Sequence, residues 1–296
     1  MQKIKPFLWF DQQAEEAARF YVSLFKDSKV VSVTRWGDVG PGPKDSVLTV
    51  AFELAGQEFT ALNGGPQFKF NPAVSFFVVG ETEAEVDSLW QKLSAGGSTL
   101  MELQKYDWSE KYGWLADRYG LSWQISLGKL SDVGQKITPA LLFVGPQHGR
   151  AEEAIRFYTS VFQPSSLTGI LRYGAGEGQP EGTVKHAQFT LESCVFMVME
   201  NSFAHGFTFN EAVSFTVDCK SQPEVDGYWG KLSAGGEEGR CGWLKDKFGL
   251  SWQITPSVLP KLLNDPDRAK ADRAMRAMLQ MNRIDIEELK RASEES

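Results

Sequence analysis

Apolar residues in two segments of the first half of the chain recur with the spacing of an amphipathic helix. In the first segment these residues are Ala17, Phe20, Tyr21, Leu24 and Phe25. In the second segment they are Val86, Leu89, Trp90 and Leu93. The second segment ends at Gly96-Gly97, a common signal at the C-terminal end of a helix. Each pattern predicts a helix with one apolar face.

Shorter segments between these helices alternate apolar and polar residues, as strands with one buried face do. In VLTVAFEL the apolar face carries Leu48, Val50, Phe52 and Leu54. The segment VKHAQFTL aligns with it, so His186 and Gln188 fall on the opposite face.

The same alternation places four recurring polar residues away from the apolar faces of their strands: Ser75, Gln124, Ser214 and Gln253. We therefore predict an α+β fold in which helices cover one face of a curved mixed sheet. The other face, lined by small polar residues, forms a cup.

Four sequence blocks recur in the same order in the second half of the chain. The pairs are AEEAARFYVSLF and AEEAIRFYTSVF, FNPAVSFFV and FNEAVSFTV, VDSLWQKLSAGG and VDGYWGKLSAGG, and GWLADRYGLSWQIS and GWLKDKFGLSWQIT. Four ordered matches indicate a tandem duplication. We predict one domain over residues 1–130 and a second over 131–258, each of paired βαβββ units. A helical, Met-rich tail follows over 259–296, and we expect it to dock on a domain or on a second chain.

Composition narrows the classes of function. The net charge is −7 and no basic cluster is present, so no nucleic-acid partner is expected. No apolar run reaches the length of a membrane span, and the N-terminal segment lacks the apolar region of a signal peptide. The three cysteines have no metal-ligand spacing, which favours a reduced, cytoplasmic protein.

Known catalytic and nucleotide-binding motifs are missing from the sequence. The segment GAGEG at 174–178 is followed by Gln-Pro and a β-type segment, so it predicts a hairpin loop and not a phosphate-binding turn. The chain contains no GxSxG elbow and no HExxH helix. We therefore expect no S-adenosylmethionine-dependent methyl transfer and no cofactor.

The motifs AEEA-x-RFY, FN-x-AVSF, WxKLSAGG and GWLxDxxGLSWQI together resemble the vicinal oxygen chelate superfamily, which includes glyoxalases, bleomycin-resistance proteins and ring-cleaving dioxygenases. They are most similar to its PhnB-like branch, whose domain is also called the 3-demethylubiquinone-9 3-methyltransferase domain. The resemblance covers about residues 3–128 and 136–258. It implies paired domains, here reproduced within one chain as an intramolecular pseudo-dimer, with further homo-oligomers possible.

In metal-dependent members of this superfamily, four inward positions of the cup hold His, Glu or Gln ligands. By alignment these positions hold Pro6, Asn63, Ser75 and Gln124 in the first repeat, and Pro139, Glu200, Ser214 and Gln253 in the second. A zinc or iron site needs about three good nitrogen, sulfur or carboxylate ligands. We therefore expect no metal ion.

Several residues remain as candidates for a site. His186 either acts as a catalytic base oriented by Glu200 or is a structural histidine. Trp114 and Trp243 either line a pocket or cover a sheet end, and Trp9 is placed to line the first cup. The recurring serines and glutamines either bond one another or bind a polar ligand. Gln188, two residues after His186, and Asn63, in a segment that first of all indicates a turn, are further candidates for ligand binding.

Three functions follow from these candidates. The first is metal-independent binding of a small molecule, of the sequestration or resistance type. The second is an enzyme of the glyoxalase, lyase or dioxygenase type, with or without a metal. The third is an interaction module. The second repeat, with His186, Gln188, Glu200 and Gln253, is the better candidate for a working site.

Overall fold

A computed structural model describes residues 2–295 of the protein. The first repeat contains β1 (Ile4–Phe10), α1 (Ala14–Val22), β2 (Lys29–Arg35), β3 (Val47–Leu54), β4 (Gln57–Asn63), β5 (Val74–Gly80), α2 (Glu83–Ser94), β6 (Ser98–Tyr106), β7 (Ser109–Ala116) and β8 (Ser122–Leu127). A short helix, α3 (Leu130–Val133), lies in the segment that joins the repeats.

The second repeat has the same order of elements. They are β9 (Ile137–Phe143), a 3₁₀ turn (Gly145–Gln147), α4 (Ala151–Val161), β10 (Ser165–Arg172), β11 (Val184–Leu191), β12 (Cys194–Glu200), β13 (Val213–Cys219), α5 (Gln222–Ser233), β14 (Glu237–Glu238), β15 (Trp243–Lys245) and β16 (Ser251–Pro256). The tail forms α6 (Leu259–Leu263), α7 (Arg268–Gln280) and α8 (Ile286–Glu294). The predicted α+β fold with a helical C-terminal tail is confirmed.

Each sheet is built from one βαβββ unit of each repeat. The first sheet has the strand order β14-β15-β16-β13-β1-β4-β3-β2, and the second has the order β10-β11-β12-β9-β5-β8-β7-β6. The halves join where β1 pairs antiparallel with β13, and where β5 pairs antiparallel with β9.

The compact units therefore differ from the sequence repeats. Unit 1 contains the chain up to Val22, Ser28–Phe68 and everything from Asn210 onward, whereas unit 2 contains Ser23–Asp27 and Lys69–Phe209. The predicted boundaries at 130 and 258 mark the repeats but not these units. The reason is that both repeats offer the same strand edge, so the pattern of a strand does not reveal which copy supplies its partner.

The helices cover one face of each sheet, as the alternation predicted. In unit 1, Val50 and Phe52 of β3 and Ala17 and Tyr21 of α1 are almost completely buried. In unit 2, Phe189 and Phe196 stack on the corresponding face with ring centroids 5.8 Å apart. Burying a side chain of this size stabilises the fold by about 1.5–3 kcal/mol.

The block GWLxDxxGLSWQI is explained by one buried carboxylate. Asp117 Oδ1 accepts hydrogen bonds from the backbone N–H groups of Tyr119 and Leu121, at 2.8 and 3.1 Å. Its Oδ2 accepts one from Trp123 Nε1 at 2.9 Å. Asp246 makes the same three bonds in unit 1, including one from Trp252 Nε1 at 2.8 Å. The block thus recurs because it closes the turn before the last strand of each repeat.

The tail packs on unit 1. Met275 of α7 forms an apolar cluster with Trp36 and Leu48. Farther along, the carbonyl of Met281 accepts a hydrogen bond from the backbone N–H of Cys241 at 2.7 Å, just before β15. The tail therefore contacts both the β3 side and the β15 side of the first sheet. Within residues 2–295, no helix is long and apolar enough to cross a membrane.

Candidate functional site

Three side chains lie in a row across the middle of the second sheet. Phe77 of β5 pairs with Thr138 of β9 on one side and with Gln124 of β8 on the other. They lie on the face away from the helices, because each alternates with buried apolar residues such as Phe76 and Trp123. This row forms the floor of the cup of unit 2.

Two polar atoms of the row are buried without a partner. Thr138 Oγ1 and Gln124 Nε2 have no hydrogen-bond partner among residues 2–295, although both residues are nearly inaccessible to solvent. A buried polar group that is left unpaired costs about 1–3 kcal/mol. Two such atoms on either side of one phenylalanine provide the chemistry to bind a polar group of a ligand.

The amide of Gln124 is held in a defined orientation. Tyr112 Oη of β7 donates to Gln124 Oε1 at 2.8 Å, and this leaves Nε2 to donate elsewhere. The burial of Tyr112 raises the pKa of its hydroxyl, so the hydroxyl stays protonated and remains a donor at neutral pH.

Ser75 and Trp114 belong to a neighbouring network on the same face. Ser75 Oγ lies 2.8 Å from Ser122 Oγ, and Trp114 Nε1 donates to Ser122 Oγ at 2.8 Å. These contacts match the alternative in which the recurring polar residues bond one another. Trp114 is only partly buried, so part of its side chain remains accessible.

His186 and Gln188 of β11 also face the cup of unit 2. Gln188 Nε2 donates to the carbonyl of Val133 in α3 at 3.2 Å, which ties the segment between the repeats to this strand. The burial of His186 lowers the pKa of its imidazole below the ordinary value of 6.5. The ring is therefore neutral at pH 7 and can donate with one nitrogen and accept with the other.

Glu200 does not join His186. Its Oε1 accepts from the backbone N–H of Ala151 at 2.9 Å and its Oε2 from that of Val184 at 2.6 Å. It lies on the same face as Val198 and Phe196, whereas His186 alternates with Ala187 and lies on the other face. The geometry does not support the hypothesis that Glu200 orients His186 as a base. Glu200 ends β12 beside the start of α4, and its side chain binds the backbone there.

The remaining predicted residues lie in unit 1, so the set of His186, Gln188 and Gln253 is divided between the two units. Gln253 Nε2 donates to Ser214 Oγ at 3.0 Å. Trp243 makes edge contacts with Trp9 and with Phe7, at centroid distances of 5.9 and 5.6 Å.

Two of these residues of unit 1 also bind the backbone. Trp9 Nε1 donates to the carbonyl of Gly65 at 2.8 Å. Asn63 Oδ1 accepts from the backbone N–H of Ala14 at 2.8 Å, and its Nδ2 donates to the carbonyl of Val47 at 3.0 Å. Asn63 therefore holds the start of α1, as Glu200 holds the start of α4.

The sequence patterns did not indicate Thr138 or Tyr112 as candidates for the site. Thr138 stands in ITPALLF, a segment that reads as a buried strand, and Tyr112 precedes the Gly-Trp-Leu block. The strand alternation alone would have placed Thr138 opposite the apolar residues Ile137 and Leu141, on the face of the cup.

Comparison with known proteins identifies the family. Residues 2–126 and 135–255 each match the family described as 3-demethylubiquinone-9 3-methyltransferase. The chain belongs to this family. The two matches confirm the predicted resemblance to the PhnB-like branch and the tandem duplication. None of the functionally curated proteins matches the chain.

Several solved structures are similar to this chain. A PhnB protein from Bacillus cereus is 46% identical, covers 43% of this chain and 100% of its own, and has a TM-score of 0.41. A glyoxalase I variant from Zea mays is 12% identical, covers 85% of this chain and 92% of its own, and has a TM-score of 0.55. A second variant of that enzyme is 11% identical, covers 84% and 89%, and has a TM-score of 0.54. The likeness to the maize enzyme shows a shared fold.

The positions that carry metal ligands in such folds do not fit a metal ion here. The exchange of halves brings Pro139, Glu200, Ser75 and Gln124 into unit 2, and Pro6, Asn63, Ser214 and Gln253 into unit 1. The prolines have no donor side chain, and Glu200 and Asn63 hold helix starts. Among residues 2–295, no group of three or more His, Cys, Asp or Glu side chains is placed to hold a metal ion.

Proposed function

We propose that the protein binds a small organic molecule in the cup of unit 2, without a metal ion. The observation that carries the proposal is the pair of buried, unpartnered polar atoms, Thr138 Oγ1 and Gln124 Nε2, on the two sides of Phe77. A ligand with a hydrogen-bonding group and an apolar body would satisfy both atoms and cover the phenylalanine ring.

A comparison of the polar residues in the two cups favours unit 2 as the binding site. At the position of Thr138 it has Lys5, which forms an ion pair with Glu58 at 2.7 Å. At the position of Gln124 it has Gln253, whose amide is bonded to Ser214. Among the described residues of unit 1, Ser251 Oγ is the one buried polar side-chain atom that has no hydrogen-bond partner. The polar groups of the first cup thus largely satisfy one another, whereas those of the second do not.

The chemistry of His186 favours binding over catalysis. A histidine that acts as a general base is commonly oriented by a carboxylate, and Glu200 is engaged elsewhere. A neutral imidazole beside Gln188 can still recognise a hydroxyl or carbonyl group of the ligand. An enzyme that uses His186 alone is the second candidate, and turnover of the bound compound would establish it.

The setting of the protein is part of the same proposal. No disulfide joins any of the three cysteines, Cys194, Cys219 and Cys241, and this supports a reduced, cytoplasmic environment. Since each sheet already unites one βαβββ unit from each repeat, we also propose that the chain is its own pseudo-dimer. Gel filtration that gives the mass of a single chain would support this, and a dimer or larger assembly would contradict it.

A thermal-shift screen with a library of metabolites and antibiotics tests the binding site. Compounds that raise the melting temperature of the wild type should lose most of this effect with His186→Ala and with Thr138→Val. Thr49→Ala is the matched control, because Thr49 occupies the position of His186 in unit 1. Hits that His186→Ala and Thr138→Val leave unchanged would place binding elsewhere and reject the proposal.

Metal analysis of the purified protein separately tests the proposal that the ligand is bound without a metal ion. Stoichiometric zinc, iron, manganese or nickel would overturn this proposal and favour the enzymatic alternative.

A further inference from the structure

A cluster of three aromatic rings extends from the floor of the unit 2 cup to solvent. Tyr112, whose hydroxyl binds Gln124, makes edge contacts with Tyr106 and Trp108 at centroid distances of 5.9 and 6.3 Å. Tyr106 and Trp108 stack on each other at 4.8 Å, with ring planes 22° apart. We call Tyr106, Trp108 and Tyr112 the aromatic rim.

The outermost ring of the aromatic rim has a free face. Trp108 is 64% exposed. A tryptophan this accessible buries little apolar surface, so its own packing contributes little to stability. Its stacking on Tyr106 and its edge contact with Tyr112 hold the ring in place. Because Tyr112 also bonds Gln124, the contact with Tyr112 places the Trp108 ring on the same side of the sheet as Gln124.

The aromatic rim has no counterpart among the described residues of unit 1. It lies on the β6–β7 hairpin, whose segment Ser98–Tyr112 is ten residues longer than the corresponding Glu237–Cys241. In unit 1 the matching strands, β14 and β15, have two and three residues. The unit with unpartnered polar atoms in its cup is therefore also the unit with an added aromatic platform.

We infer that the ligand of unit 2 is a planar aromatic compound with a carbonyl group. This inference rests on the proposed function and deepens it. The carbonyl oxygen accepts from Gln124 Nε2, the one donor of the cup whose orientation is fixed by Tyr112. The aromatic ring stacks on the exposed face of Trp108, where flat π systems pack better than saturated rings of the same size.

The test compares two ketones that differ in the planarity of one ring, 1-tetralone and 1-decalone. Their dissociation constants are measured by ligand-observed NMR with the full chain, for the wild type, Trp108→Ala, Trp108→Phe and Thr138→Val. Leu100→Ala is the matched control, since Leu100 is 45% exposed on the same hairpin but lies outside the aromatic rim.

The wild type is expected to bind 1-tetralone more tightly than 1-decalone. Trp108→Ala should weaken 1-tetralone binding by about three- to tenfold and leave 1-decalone unchanged, with partial rescue by Trp108→Phe. Leu100→Ala should change neither constant, and Thr138→Val should weaken both ketones.

Other outcomes separate the two proposals. If Trp108→Ala changes neither ketone, or both equally, the inference is overturned, while a loss of binding with Thr138→Val still supports the site itself. If neither ketone binds the wild type, the inference is also overturned, and the library screen with His186→Ala alone decides the proposed function.

Discussion

Glu200 Oε1 accepts a hydrogen bond from the backbone N–H of Ala151, the first residue of α4, at 2.9 Å. An anionic side chain is favourable at this end of a helix, where N–H groups lack partners within the helix. The other oxygen binds the backbone of Val184, so the carboxylate joins the starts of α4 and β11. In unit 1 the corresponding contact runs from the backbone of Ala14 to Asn63.

Glu200→Gln should therefore lower the stability of the protein. An amide has one oxygen, so its NH₂ group would face a backbone N–H that now binds a carboxylate oxygen. We expect a loss of about 1–3 kcal/mol in the free energy of unfolding, measured by urea denaturation. Glu181→Gln, in an exposed loop, is the control and should change little. If Glu200→Gln kept full stability but abolished ligand binding, a direct role in the site would be established instead.

Asp117→Asn tests the explanation of the GWLxDxxGLSWQI block. Asparagine keeps an oxygen for the two backbone N–H groups but places an amide NH₂ against Trp123 Nε1. The free energy of unfolding should fall by about 1–3 kcal/mol, and Asp246→Asn should cost a similar amount in unit 1. Asp107→Asn, exposed at the end of the β6–β7 hairpin, serves as the reference. Equal stability of all three variants and the wild type would show that the buried carboxylates are not structural.

The sequence predicted the sheet face on which a side chain lies better than it predicted the residues and strands that this side chain or its strand contacts. Alternation within single strands placed Ser75, Gln124 and His186 on the face of the cup, because side-chain direction in a strand depends only on position. It did not reveal that Glu200 turns to a helix start, because that contact depends on where α4 begins relative to β12. Nor did it reveal that β5 pairs with β9, since the pairing of a strand is set by long-range packing and both repeats offer equivalent edges.

His186 predicts a pH dependence of stability. Its pKa is lowered in the folded protein by burial, so the unfolded chain binds a proton at pH values where the folded protein does not. The contribution of His186 to stability is thus fully present above pH 6.5 and is lost as the pH falls toward the folded pKa. The free energy of unfolding, measured by urea denaturation between about pH 7.5 and about pH 5, should fall less steeply for His186→Gln than for the wild type. If the free energy of unfolding changed with pH in the same way for both proteins, a lowered pKa of His186 in the folded protein would be contradicted.

The tail should stabilise unit 1 specifically. Met275 is buried against Trp36 and Leu48, and at the equivalent positions unit 2 has Tyr173 and Lys185, whose ammonium group pairs with Glu177. A charged position cannot replace this apolar cluster, so the sequence of each unit explains why the tail docks where it does.

Met275→Ala removes most of the apolar side chain that α7 buries in this cluster. The free energy of unfolding should fall by about 2 kcal/mol, and amide exchange should accelerate in β2 and β3 while β10 and β11 stay protected. Met278→Ala, at a half-buried position of the same helix, should have a smaller effect. Faster exchange in β10 and β11 as well would mean that the tail supports the whole chain, and that its preference for Trp36 and Leu48 over Tyr173 and Lys185 has no energetic consequence.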